Sequence, residues 1–206
     1  MDRNGNLYGA TLILTLFGSP SMAVEEAAFK SVLHDGNFEI RDYPALVAAE
    51  VTVSGGQKEA ASKGFHLLAG YIFGANKQRE SIAMTAPVAQ APISESTSIT
   101  APVTEIANAK TWIVRFTMPS TYTLETLPEP TDPKVQLRRL PAERVAVIRF
   151  SGLAGESAVD AKTTELVATT KAHHLRVIGP VSLAQYNPPW TPWFMRRNEV
   201  MIRIAP

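Results

Sequence analysis

The side chains able to do chemistry in this chain are few: His34, His66, His173 and His174, the arginine pairs Arg138-Arg139 and Arg196-Arg197, and Glu199 beside the second pair. With no cysteine in the sequence, a thiol nucleophile, a thiolate metal site and a disulfide framework are excluded. His173 and His174 are adjacent, so their side chains diverge and make a poor chelate; at a helix end they complement its negative dipole. Glu199 has two readings. Facing a groove, its carboxyl would be desolvated and its pKa raised, which suits acid–base work or a cationic ligand. Paired with Arg197 it is structural, the reading its neighbour favours. Gly155-Glu156-Ser157-Ala158-Val159 lacks the second glycine of an esterase elbow, and no phosphate loop, dinucleotide fingerprint or metal-ligand spacing is present. A binding surface is written here more clearly than a catalyst.

That surface lies on a helix. From Gln57 to Phe73 the apolar period is helical, with Ala61, Gly64, Phe65, Leu68 and Ile72 on one face and Gly74 as the stop. Ser62, Phe65, His66, Ala69 and Phe73 recur at helical spacing beside that face. Ala69 and Phe73 carry apolar character past the stripe that packing needs, leaving a patch able to meet a ligand. His66, the one histidine on this helix, is either a partly exposed surface residue or a metal ligand, and Lys58, Lys63 and Lys77 could supply positive charge nearby. A second apolar concentration, Trp190, Trp193, Phe194 and Met195, lies in the segment 187–197. Such a segment must fold over the core or cover a ligand; burial is the default.

The elements that hold these residues come as two similar sets. Phe38–Gly55 (FEIRDYPALVAAEVTVSG) and Val135–Gly152 (VQLRRLPAERVAVIRFSG) align without a gap, with Arg41/Arg138, Pro44/Pro141, Ala45/Ala142, Ala49/Ala146, Ser54/Ser151 and Gly55/Gly152 identical. Alternation predicts a half-buried strand in each, turning Val47, Ala49, Val51 and Val53 inward in the first and Ala146, Ile148 and Phe150 in the second. A helix follows each strand, the second from a capping box at Ser157–Asp160 to about His173. Ile82–Val88 and Ser98–Val103 read as extended segments, which their Ala-Pro pairs confine to a sheet edge or bulge. Trp112–Met118 and Glu199–Ile204 close the units, Ile113-Val114-Arg115-Phe116 answering Met201-Ile202-Arg203-Ile204. Two units, approximately 38–118 and 135–204, are expected to pack as an antiparallel, barrel-like sheet flanked by two helices, with a ligand cleft between them. Pro119–Pro133 joins them as an ordered connector.

At 206 residues, with 45% hydrophobic and 19% charged residues, the chain suits one globular domain. A net charge of +1 without a basic stripe disfavours nucleic acid as a partner. Residues 1–23 have the form of a signal peptide. Arg3 lies in a short polar start, Ala10–Phe17 is too short to span a bilayer, Gly18-Ser19-Pro20 breaks it, and Ser21-Met22-Ala23 offers cleavage before Val24. The expected mature domain is therefore 24–206, periplasmic or secreted, with no integral membrane span after processing.

Four stretches, Phe38-Glu39-Ile40-Arg41-Asp42-Tyr43-Pro44, Ile82–Val88, Phe116–Pro119 and Tyr186–Trp190 through Arg196–Val200, together resemble the SOUL haem-binding protein family from about Val32 to Ile204. The resemblance implies an α+β fold, with duplicated β-α-β-β units forming a distorted antiparallel β-barrel flanked by two helices. It also implies non-covalent binding of haem or a related tetrapyrrole in an apolar groove beside the first helix, for carriage or buffering without turnover. The family's groove positions fall on Ser62, Phe65, Ala69 and Gly70, which with His66 and Phe73 make the expected cofactor-binding set. Ser62 stands where some relatives carry a basic residue and Asp42 where some carry histidine. Affinity should then come mostly from burial, at about 25 cal/mol per Å², with His66 at most a weak axial contact. Two other readings remain: another apolar or cationic small molecule in the same cleft, or small-molecule hydrolysis by Glu199.

Overall fold

The alternation read from the sequence becomes strands, most of which join a single sheet. The computed structural model describes residues 24–93, 110–188 and 190–206. In chain order these are β1 (Glu25–Glu26), β2 (Lys30–Asp35), β3 (Phe38–Tyr43), β4 (Leu46–Ser54), α1 (Gln57–Ile72), β5 (Thr85–Ala86), β6 (Val88–Pro92), β7 (Thr111–Thr117), β8 (Gln136–Leu140), β9 (Glu143–Ser151), α2 (Glu156–Ala172), β10 (Val177–Gln185) and β11 (Arg197–Ile204). Nine strands pair antiparallel in the order β2-β3-β9-β11-β10-β6-β7-β4-β8, while β1 and β5 form a separate parallel pair.

Two proline corners set this order. Pro44-Ala45 separates β3 from β4, and Pro141-Ala142 separates β8 from β9. At both corners the chain passes between halves of the sheet, since β3 pairs with β9 and β8 with β4. Tyr43 stands opposite Glu143 and Leu46 opposite Leu140, so the corners run side by side. The orders β8-β4-β7-β6 and β3-β9-β11-β10 then correspond strand for strand, joined at β6–β10. The expected barrel does not close. Among the described residues β2 and β8 are free edges, because the chain turns at the corners instead of carrying its hydrogen bonding around a ring.

Each half has its own core under its own helix. Ala49, Val51, Val53, Val114 and Phe116 meet Leu68 and Ile72 of α1; Ala146, Ile148, Val200 and Ile202 meet Val159 and Leu166 of α2. Gly64 permits the close α1–β7 approach, since a Cβ there would lie 2.5 Å from Val114. Gly74, at φ +110, ends the α1 turn as expected, with the Ala75 amide donating to the Gly70 carbonyl at 2.9 Å. Three expectations change. The capping box is unused: the N-cap is Gly155, two residues before Ser157, and α2 starts at Glu156 with no side-chain cap. Strand β6 lies inside the sheet, between β10 and β7, and tolerates its prolines because Pro87 precedes it and Pro92 ends it. The connector does more than cross the surface: Leu127 enters the first core, as does Val135 just after it, and Tyr71 donates to the Pro128 carbonyl at 2.8 Å. Ser98–Val103 lies outside the described residues. No described helix is long and apolar enough to cross a membrane.

Candidate binding site

The six residues expected on α1 divide between two jobs. Ala69 is buried and Phe65 is half-buried, its ring 5.6 Å from Phe116, so both serve packing first. Ser62, His66, Gly70 and Phe73 form an exposed strip, with Phe73 at 68% exposure. Nothing lies within 4 Å of the space above Gly70, so this is an open flank and not the walled groove expected. His66 lies edge-on to Phe65 at 6.2 Å between ring centres. Lys63 and Lys77 pair with Glu59 and Glu129 at 2.6 and 2.7 Å in exposed bridges. The strip offers the Phe73 ring, the open space above Gly70 and a His66 imidazole accessible from solvent, features a planar macrocycle could use. Among the described residues no cluster of three or more His, Asp or Glu could hold a free metal ion.

The face of the sheet turned from the helices carries a cavity of about 300 Å³ between the halves. Its apolar walls include Leu46, Ala89, Ile113, Leu140, Val145 and Met201, and its polar groups include Arg115, Glu143 and Arg203. Burial raises the Glu143 pKa against the opposing pull of Arg203 and Arg115. The Arg203 guanidinium is 3.9 Å away.

Beside this cavity Glu199 is completely buried. It accepts hydrogen bonds from Arg41 at 2.8 and 3.0 Å, from the Tyr186 hydroxyl at 2.6 Å and from Arg197 at 2.8 and 3.0 Å. Burial alone would raise its pKa, but the bonds from Arg41, Tyr186 and Arg197 outweigh that and hold it below the ordinary carboxylate value. A buried carboxylate bonded on both oxygens by two arginines and a tyrosine is a poor acid or base, which weighs against hydrolysis through Glu199. The sequence anticipated Arg197 as partner and missed Arg41. The signal available was the identity of Arg41 and Arg138 in the repeated stretches. Arg138 also binds a glutamate, Glu50, at 3.1 Å, and Arg115 reaches Glu50 from the other side at 2.7 Å. The cavity lining was missed too, because the corners that assemble it are tertiary.

The loop after β10 reverses an expectation. Trp190, Trp193, Phe194 and Met195 are 84%, 61%, 62% and 64% exposed, so they neither join the core nor cover either site. His173 ends α2, stacked on Phe38 at 5.2 Å, and His174 adopts a left-handed conformation, φ 54.

Several solved structures share the fold. The EcmrR C-terminal domain aligns at TM-score 0.60 and 8% identity, over 82% of this chain and 96% of that one. A hydrolase from Listeria innocua aligns at 0.55 and 12%, over 84% and 94%, and an uncharacterised conserved protein from Listeria innocua at 0.58 and 13%, over 82% and 92%. At these identities the likeness is one of fold alone. No curated protein matches the chain. The family model described as SOUL heme-binding protein matches residues 24–203, nearly everything that the sheet and its helices contain, and the chain therefore belongs to the SOUL haem-binding protein family.

Proposed function

We propose that this chain binds haem or a related tetrapyrrole, non-covalently, along the exposed flank of α1, for carriage or buffering. The observation that carries the reading is Phe73, a ring 68% exposed in line with Gly70 and His66. Covering it removes apolar surface from water, at about 25 cal/mol per Å². Phe73 and Gly70 form the floor, His66 offers an axial nitrogen, and Lys63 or Lys77 can leave weak surface bridges for propionates. Bound haem would supply an iron centre and its visible spectrum. Family membership supports the ligand class. The two halves are read here as copies of one β-α-β-β unit, and residues 1–23 as a removed export signal, which intact mass tests by a mature start at Val24.

Haemin titration of the purified protein should give a saturable Soret shift. Phe73→Glu should weaken binding about tenfold, while His66→Ala should alter the band shape more than the affinity. A protein spectrally inert to micromolar haemin would end the reading, as would unchanged affinity in Phe73→Glu.

The cavity favours a second reading, binding of another small molecule with an apolar body and a cationic or hydrogen-bond-donating group for Glu143. Such a ligand would respond to Glu143→Gln and ignore Phe73→Glu.

A further inference from the structure

The hairpin between β10 and β11 ends in a braced apolar tip. The Tyr186 amide donates to the Arg197 carbonyl at 3.2 Å, and the Arg197 amide to the Asn187 side chain at 2.6 Å, which closes the base. Above it, Thr191 bonds back to Pro188 at 3.0 Å, Met195 to Pro192 at 2.9 Å, and the Arg196 guanidinium to the Thr191 carbonyl at 2.8 Å. A slack loop would fold its rings onto the protein; this one is held so that they point into water. At the tip Trp193 meets Phe194 edge-on, at 5.8 Å between ring centres. Leu153, 62% exposed, adjoins the base, where Asn198 donates to the Gly152 carbonyl.

We infer that this tip docks on a lipid bilayer, with Trp190, Trp193, Phe194 and Met195 entering the zone between headgroups and acyl chains. Three observations select lipid over a protein partner. Trp and Phe are the side chains that favour this depth, with an apolar body and, in Trp, one polar N–H. No acid occurs from Tyr186 to Asn198. The neighbouring Glu26 pairs with Arg197 at 3.0 Å. Separate rings on one projecting hairpin also lack the flat, extended face, roughly 800 Å² per partner, that a stable protein interface buries. A fluid interface needs no complementary pocket. The Glu26–Arg197 bridge also brings exposed Val24 to the same end of the molecule as the tip.

Because Arg197 is already committed to Glu26 and Glu199, attachment is apolar in origin and should resist salt. The test uses the full chain without haemin and phosphatidylcholine vesicles, so its outcome is independent of tetrapyrrole binding. Trp112, buried in the first core, serves as an unchanging reference. The expected result is vesicle flotation at millimolar lipid, a blue shift of tryptophan emission and quenching by brominated acyl chains, little changed at about 1 M salt. The double variant Trp193→Ser/Phe194→Ser should lose about tenfold or more in partitioning, with its thermal unfolding unchanged. The inference is overturned by no flotation, by attachment that high salt abolishes, by equal partitioning of the double variant, or by a blue shift that grows with protein concentration in the absence of lipid, which would mean a second copy covers the tip.

Discussion

In the β3-β9-β11 half, Glu199 is sealed between Arg41 and Arg197; in the β8-β4-β7 half, Glu50 lies between Arg115 and Arg138 with Arg138 largely in solvent. Both trios are Arg–Glu–Arg, both turn away from the helices, and both involve one arginine of the identical pair Arg41/Arg138. Their surroundings decide what they do. The Arg41 and Glu199 side chains are only 4% and 0% exposed, whereas those of Arg138 and Glu50 are 57% and 13% exposed. Water screens the open trio and leaves its arginines exchangeable. In the sealed trio water reaches only Arg197, 21% exposed, so Glu199 and Arg41 depend on their protein partners.

The largest effect should come from Glu199→Gln, which leaves Arg41, buried, with one of its two carboxylate partners, Glu39 at 2.7 Å. A loss of about 3–5 kcal/mol in urea-unfolding free energy is expected, against less than about 1 kcal/mol for Glu50→Gln. Equal losses would break the comparison. The acid limb comes next. Glu199 is held below its ordinary value near 4.5, so its stabilisation is complete above that pH and is lost as pH falls through the lower folded-state value. Wild type should therefore lose stability below about pH 4.5 more steeply than Glu199→Gln, measured as urea midpoints at neutral and acid pH; parallel limbs would put the titration elsewhere. The smallest effect concerns the cavity. Burial raises Glu143, so the folded state favours its protonated form and stability declines as pH rises through that raised value. Glu143→Gln should raise the melting temperature slightly at neutral pH; a lower melting temperature would show Glu143 acting as a structural partner of Arg203.

Local periodicity made the strands and α1 legible, because alternation and helical spacing depend on neighbours in sequence. Val51 and Val53 turned inward as read, Gly74 ended its turn, and Arg197 met Glu199. What the sequence concealed was long-range. Nothing local in Arg41-Asp42-Tyr43-Pro44 says that β3 abandons β4 for β9, and that exchange brings Arg41 to Glu199. The α1 site was half legible: the spacing found the right flank, but Ala69 and Phe65 belong mainly to the core and no second wall encloses the strip. The aromatic tip was misread because hydrophobicity predicts burial on average, while the loop's hydrogen bonds hold its rings outward.

The crossing of strands at the proline corners has a consequence for synthesis. When the first 135 residues have left the ribosome, β2 can pair with β3, and β4, β6, β7 and α1 can assemble; β4 awaits β8, the next strand, while β3 and β6 each keep one bare edge. Those pairings wait for β9 and β10, about a hundred residues of chain later, which gives the fold many non-local contacts and a slow, high-contact-order route to the native state. A nascent chain stalled at this stage displays unpaired edges on β3, β4 and β6, the condition in which chains associate with one another or engage a chaperone.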